Sequence, residues 1–331
     1  MPEEPTSILV TAAGAEGTAG KITRLRDRGY RVVAADSDPD APGLYLADSA
    51  HVVPPGGDPA FVPELRRICA REGVRAVVPL VDEELLAVWG LAASGIEVLL
   101  PRPQLVAVCL DKLLLMETLD AVGVPVPRTR LGVYGADGLG YPLIVKPRTG
   151  RGGRGVSVAR DKAELDEILA HWAGDLGRVL LQELVEGPEY SASVVVWRDG
   201  RVQAVVPKEV VLKDGSSRYA VSRRDTAVIE VCTQAAEALD ADGPINVQLC
   251  VDRSGVPRVF EINPRFSGSS TLTAASGLDE IAGLLGQALG EAEPRFGDGW
   301  REGVAMVRHA TETFVPEHAL MTRRHLLERS R

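Results

Sequence analysis

The sequence has little histidine, cysteine or aromatic residue: five His, four Cys, and 5% Phe, Trp and Tyr in 331 residues. His51, His171, His309, His318 and His325 are scattered, so no His-Glu-x-x-His or similar metal-binding cluster arises. Cys69, Cys109, Cys232 and Cys250 lie far apart without Cys-x-x-Cys spacing, which suggests neither a zinc cage nor a disulfide framework. No Gly-x-Ser-x-Gly elbow supports nucleophile-triad hydrolysis. No Tyr is followed four positions later by Lys, which removes the common proton-transfer pair of short-chain reductases. There is no basic excess: the net charge of -9 argues against nucleic acid or an anionic membrane as the main partner. No apolar run approaches membrane-spanning length, and residues 1–7 carry Glu and Pro where a signal peptide has basic and then apolar residues. A cytoplasmic location is the expectation.

What is present is an ordinary globular composition, 45% hydrophobic and 25% charged, with length enough for two or three domains. Residues 7–107 alternate short apolar strands (7–11, 31–35, 51–53, 76–79, 98–100) with helical patterns, which implies a doubly wound parallel sheet. The first βα turn, 11–20, is glycine-rich, and Asp36 ends the second strand. That arrangement has two readings: a nicotinamide-dinucleotide site, hence an oxidoreductase, or tight strand-to-helix packing.

Asp111 can cap a helix over 112–122 that Gly123 and Pro125 terminate, and a new unit starts there. A strand at 143–146 runs into a Gly-rich loop and a second strand at 156–159. A helix (162–172), a strand (179–183), a strand pair (191–197 and 202–206) and a polar, charged stretch (208–225) follow. Helices at 226–239 and 278–289, a strand at 304–308 and a surface tail at 318–331 complete the reading. The fold class is therefore mixed, α/β followed by α+β.

Three motifs carry chemistry. The segments 246–252 and 257–265 read as a hairpin. Pairing Asp252 with Pro257 brings Cys250 opposite Val259 and Gln248 opposite Glu261. Period-two geometry then sets Gln248, Glu261, Asn263 and Arg265 on one face, a hard-oxygen site suited to Mg²⁺ beside a guanidinium able to contact a phosphoryl group. In the 150–155 loop, Gly152, Gly153 and Arg154, with Arg148 and Arg151, can cradle a polyphosphate; a flexible surface hairpin is the other reading. Lys146, just before it, is a second phosphate candidate or an ordinary strand lysine. Gln182, Glu183, Leu184 and Val185 end an apolar strand where backbone groups could face an adenine edge, and Glu189 could take ribose hydroxyls; solvated acids at a strand end are the alternative.

In this order the motifs resemble the ATP-grasp superfamily, most of all the synthetase units of the carbamoyl-phosphate synthase large chain, over residues 7 to 310. The resemblance implies a pre-ATP-grasp domain at 1–107, a lid subdomain at 108–185 and a C-terminal ATP-grasp subdomain at 186–317. It implies that Lys112 and Lys146 contact ATP phosphates under the 150–155 loop, that Glu183 and Val185 frame the adenine, and that Glu189 takes the ribose. It assigns Mg²⁺, or Mn²⁺ in its place, to Gln248, Glu261 and Asn263, and the γ-phosphate to Arg265.

The implied activity is ATP-dependent joining of a small-molecule carboxylate and an amine, such as amino acids, through an acyl phosphate, with a homodimer as family expectation. The sequence departs from carbamoyl-phosphate synthase units at Gly268, where those carry a second arginine; Ser267, Gly268 and Ser269 then leave room for a larger acid than bicarbonate. Lys208 and Arg223, in the charged stretch, are candidates for a substrate carboxylate, with a solvated face the alternative for each. An acid kinase that stops at the acyl phosphate and a non-catalytic nucleotide-binding module are further readings.

Overall fold

The computed structural model describes residues 4–172, 174–291, 296–297 and 299–320. Of the tail expected at 318–331, residues 321–331 lie outside the described residues. The chain opens with β1 (Ser7–Val10), α1 (Thr18–Asp27), β2 (Arg31–Asp36), β3 (Ser49–Val52), α2 (Phe61–Glu72), β4 (Val74–Val78), α3 (Leu85–Val88), β5 (Glu97–Val98), α4 (Pro103–Leu110) and α5 (Lys112–Ala121). Next come β6 (Thr129–Leu131), β7 (Leu143–Pro147), β8 (Ser157–Ala159), α6 (Lys162–Ala170) and β9 (Val179–Glu183). Then follow β10 (Glu189–Val196), β11 (Val202–Val206), β12 (Lys208–Asp214), β13 (Ser216–Ser222), α7 (Thr226–Ala238), β14 (Ile245–Val251) and β15 (Pro257–Asn263). The last elements are α8 (Ser270–Ala275), α9 (Glu280–Leu289) and β16 (Ala305–Val307). Two compact units result: the described parts of Met1–Pro103, Gly268–Trp300 and Arg308–Arg331, and Gln104–Ser267 with Arg301–Val307.

The first unit holds a parallel sheet of order β3-β2-β1-β4-β5. Ile8, Leu9 and Val10 are fully buried, the continuous apolar run that a strand covered on both faces requires. Strand order reverses between β1 and β4, and the Gly-rich turn leaves β1 at that switch point. The Asp36 carboxylate accepts the Gly14 N–H at 2.7 Å and the Asp38 N–H at 2.8 Å, so it is used to hold the turn. This is the packing reading of the glycine-rich segment. The segment 268–300, taken in the sequence as part of the 186–317 subdomain, folds here instead: α9 contacts β4 and α8 contacts α1.

The second unit carries an antiparallel sheet of order β6-β9-β7-β8 and a seven-stranded antiparallel sheet of order β15-β14-β10-β12-β13-β16, with β11 paired to β10. In the smaller sheet Leu143, Val145, Val179 and Leu181 turn one face onto Leu165 of α6. In the larger, alternation along β10 puts Tyr190, Ala192, Val194 and Val196 into the core with Val247, Leu249 and Ile262, against Val228, Val231 and Cys232 of α7. The residues between them, Glu189, Ser191 and Ser193, therefore face the other way. Four helices start on an Asp whose side chain accepts a first-turn N–H: Asp111, Asp161, Asp225 and Asp279.

Two expectations are corrected. The hairpin pairs Gln248 with Glu261 as the sequence predicts, but Cys250 faces Arg258 and Val251 faces Pro257. The turn closes one residue earlier than predicted, with the Asp252 N–H bonded to the Val256 carbonyl at 2.9 Å, and a bulge at Phe260 restores the register. The polar stretch 208–225 is the hairpin of β12 and β13, whose alternation is hidden because Val211, Leu212, Lys213 and Asp214 are all exposed.

Glu84 is 3% exposed, and its Oε1 accepts the Thr11 hydroxyl (2.7 Å) and the N–H groups of Leu80 (3.0 Å) and Val81 (3.3 Å) across the ends of β1 and β4. Burial pushes its carboxyl from 4.5 up to about 7, against the lowering effect of those bonds. Since the folded state holds the proton more tightly, this group's contribution is complete below the unfolded value of 4.5 and is lost as the pH rises through 7. Thermal unfolding between pH 5 and 8 should show a stability loss of about 3 kcal/mol that Glu84→Gln flattens; equal slopes for the two proteins would exclude this carboxyl as the source.

Candidate active site

The polar face of the seven-stranded sheet gathers most of the predicted residues. Register sets Gln248 beside Glu261 on one side and Ser191 on the other, and Asn246 beside Asn263 and Ser193. Asn246 and Asn263 are buried, Gln248 and Glu261 half-buried. The Ser191 hydroxyl donates to Asn246 Oδ1 at 2.8 Å, while Asn263 Oδ1 accepts from Arg265 Nη2 at 3.1 Å. Asn263 and Arg265 thus form one hydrogen-bonded unit at the end of β15. Among the described residues no three His, Cys, Asp or Glu side chains cluster as a metal cage. The Gln248, Glu261 and Asn263 set holds one carboxylate and two amides, so a divalent ion there would need further anionic oxygens, as a polyphosphate supplies.

Lys146 is 5% exposed on β7, and its ammonium donates to Gln182 Oε1 at 2.8 Å and to the Phe260 carbonyl at 3.3 Å. Phe260 is the bulged residue, skipped in the ladder between Gln248 and Leu249. The bulge thereby supplies an acceptor to a buried cation. Burial pushes the Lys146 ammonium down to about 8; the Glu261 carboxylate opposes this, and the charges on Lys112 and Lys213 add to it. Gln182, itself 2% exposed, is fixed by its Nε2 donating to Thr129 Oγ1 at 2.7 Å.

Lys112, at the start of α5, donates from Nζ to the Gly150 carbonyl, and its backbone N–H to the Arg148 carbonyl at 3.0 Å. Arg148 clasps the Asp111 carboxylate through Nε (2.8 Å) and Nη2 (2.6 Å). These bonds root the Gly-rich loop at its base. Gly152 (φ +66°) and Gly153 (φ +70°) are exposed in consecutive left-handed conformations, with open space where side chains would stand. Arg154 is likewise exposed.

Other predicted residues are engaged differently. The Glu183 carboxylate accepts from the backbone (3.0 Å) and Nε (2.7 Å) of Arg128, a partner that nothing in the sequence pattern marked. Burial would raise its carboxyl, but those bonds hold it low. The Leu184 N–H bonds the Pro142 carbonyl at 3.3 Å. Glu189 accepts from Lys213 Nζ at 2.6 Å, another contact with no sequence signal. Lys208 is fully buried with Nζ on Ser193 Oγ at 2.6 Å, and Arg223 Nε is bound to Glu209 at 2.7 Å. Lys208 is therefore not on a solvated face, its bond to Ser193 setting it on the polar side of the sheet, whereas the Arg223 side chain is 39% exposed. Ser267 and Ser269 are buried and Gly268 exposed, and Ser269 and Gly268 belong to the N-terminal unit. A cavity of about 490 Å³ in that unit, lined by Arg28, Tyr30, Asp279 and Trp300, contains none of the predicted residues. The oxygen donors Gln248, Glu261 and Asn263 lie instead on the polar face of the seven-stranded sheet.

Asp111 serves both the α5 N-cap, accepting from Leu113 and Leu114, and Arg148. Asp111→Ala should therefore lower stability by about 1–2 kcal/mol in denaturant unfolding, and Asp111→Asn, which keeps a cap, by less. Equal losses would mean that capping is not part of its role.

Residues 109–269 match the family model described as ATP-grasp domain, and residues 8–94 the model described as PylC-like, N-terminal domain. The carbamoyl phosphate synthase large chain of Thermus thermophilus is 26% identical over 300 residues, which cover 80% of this chain and 28% of that one. The chain thus spans little more than a quarter of that relative. A carbamoyl-phosphate synthase of Methanobrevibacter smithii is 24% identical over 292 residues, 81% of this chain and 77% of that one. Among solved structures, the L-amino acid ligase of Bacillus licheniformis superposes with a TM-score of 0.71 at 20% identity, covering 91% of this chain and 78% of that one. The biotin carboxylase domain of Hydrogenobacter thermophilus 2-oxoglutarate carboxylase, solved with MgADP and bicarbonate, gives 0.73 at 18%, covering 92% and 74%. These last two show the shared fold. With the oxygen-donor face, the buried lysines and the glycine loop all inside the matched segment, residues 109–269 form an ATP-grasp domain.

Proposed function

We propose that this ATP-grasp protein is a carboxylate-amine ligase that joins small molecules, with amino acids the favoured class, through an acyl phosphate and releases ADP and phosphate. The observation that carries this is the pairing of Gln248 with Glu261 and of Asn263 with Arg265 on a sheet face that also receives Lys146. Mg²⁺, when bound by Gln248, Glu261 and Asn263, would offset charge on the nucleotide phosphates. Lys112 and Lys146 would hold phosphate oxygens, and Arg265 would neutralise charge on the transferring group. Gly152, Gly153 and Arg154 would fold over the phosphates as part of a lid at 108–185, excluding water that would hydrolyse the intermediate. The 182–185 strand end and Glu189 would receive adenine and ribose, Glu189 by exchanging Lys213 for the hydroxyls.

The reaction follows from carbonyl chemistry. A carboxylate is a poor electrophile because resonance spreads its charge; its oxygen attacks the γ-phosphorus, ADP leaves, and the acyl phosphate then loses phosphate to an amine. Activity should appear as ADP release when acids are screened with Mg²⁺ and hydroxylamine, and the hydroxamate formed identifies the acid. Glu261→Gln should lower that rate at least ~100-fold with the melting temperature retained. ADP release with no hydroxamate from any acid would refute the acyl phosphate.

A second measurement tests the nucleotide site alone. Because burial has already lowered Lys146 to about 8, ATP affinity should fall as the pH rises through that value, the ammonium being lost. Lys146→Arg, whose guanidinium does not titrate there, should bind ATP with no such fall; a pH-independent wild-type affinity would remove Lys146 from the phosphate site.

A further inference from the structure

The Gly-rich turn after β1 is not used by the reading above, yet its end is chemically distinctive. Gly17 precedes α1 with φ +76°, and α1 has neither a side-chain cap nor an acidic residue in its first turn. Its leading N–H groups form the positive end of a ten-residue helix, with that of Thr18 bonded to the Ala15 carbonyl at 3.0 Å and that of Lys21 to the Gly17 carbonyl at 3.3 Å. A Cβ on Gly17 would lie 3.4 Å from Lys21 Nζ, 3.4 Å from Arg308 Nη2 and 2.6 Å from the Gly268 carbonyl oxygen. The missing side chain thus leaves two cationic groups converging on one helix end. Lys21 is 4% exposed and the Arg308 side chain 14%, whereas Gly17 is half-buried and Glu16 exposed, so the cluster opens through the loop.

A second, independent feature coincides with it. Thr18, the first residue of α1, is fully buried, and its Oγ1 has no hydrogen-bond partner. Ser270 Oγ, at the start of α8, is also buried without a partner, and α8 packs on α1. Leaving one such hydroxyl unpaired costs about 1–3 kcal/mol, and the Thr18 hydroxyl, at the first position of α1, is a donor that an oxyanion at that helix end would employ. Arg308 is at present held by the Glu16 carboxylate, Nη1 to Oε2 at 2.8 Å, and by the Gly268 carbonyl at 3.1 Å.

We propose that this helix end is an oxyanion-binding site, receiving a carboxylate or phosphate group through the α1 amides, Thr18, Lys21 and Arg308, with Glu16 occupying Arg308 until the anion arrives. Its position at the switch point of the parallel sheet is where such sheets take ligands. As a site for a substrate's anionic tail it rests on the ligase reading; as an anion site it does not.

The test is thermal unfolding and calorimetric titration of the full chain with inorganic phosphate and, separately, acetate, against chloride at equal ionic strength and without nucleotide. At tenfold the Kd, the bound anion should raise the melting temperature by roughly 2–3 °C. Arg308→Gln should weaken binding about tenfold, and Glu16→Gln, which removes the competing carboxylate at an exposed position, should tighten it several-fold. Should Arg308→Gln not fold, Lys21→Met replaces it with the same expected loss. The anion bound more tightly names the source, phosphate or carboxylate. The proposal is overturned by a wild type that binds neither anion, by variants that bind unchanged, or by a Glu16→Gln protein that binds more weakly. Anion binding in a protein that forms no hydroxamate would retain this site and discard the ligase reading; hydroxamate formation without anion binding would do the reverse.

Discussion

The two-faced character of the seven-stranded sheet is the constraint on which the site depends. Every second residue of β10 and β14 is apolar and closes on the core with Val259 and Ile262 of β15 and with α7, which obliges the residues between them to gather on the opposite face. That face is polar because its occupants need one another. Ser191 supplies Asn246, and Asn263 receives Arg265. A one-residue slip would exchange the two sets, sending amides into the core and aliphatics to the polar face, at several kcal/mol for each unpaired polar group. Register is therefore fixed by the core, and chemistry inherits it.

The Phe260 bulge is the local exception that makes the arrangement work. It absorbs the early closure of the turn at Asp252–Val256 and keeps Gln248 opposite Glu261. It also takes one carbonyl out of the ladder, and that carbonyl accepts from Lys146. A lysine this deeply buried would otherwise be poorly solvated; Gln182 and the Phe260 carbonyl replace two of its waters while leaving its charge strained by burial. Such a cation gains more from an incoming phosphate than a surface lysine does. Cys250, on the same face, has its thiol pushed up to about 11 by burial, so it is no nucleophile there.

The N-terminal unit repeats the theme in a parallel sheet. The central strand β1 is buried along its whole length, and polar groups gather at the strand ends. Glu84 bridges Thr11 to the 80–81 backbone there, and Asp36 holds Gly14. Asp36 is thereby spent on the turn, which favours packing over a dinucleotide as the reason for that glycine-rich segment.

The sequence alone determined what is periodic or covalent: the parallel unit, the Asp111 cap, the Gln248–Glu261 pairing and the glycine loop, because each depends on neighbours within a few residues or on strict alternation. Only the tertiary structure decided which side chains were already engaged. Arg128 lies 55 positions from Glu183, and Lys213 24 from Glu189, distances at which no local pattern signals a contact. Lys208, a candidate for a substrate carboxylate or a solvated face, is fully buried on Ser193, since the face a strand residue takes is set by the partner strand and not by its flanking charges. The allegiance of 268–300 was equally illegible, because apolar helices announce that they pack but not against what.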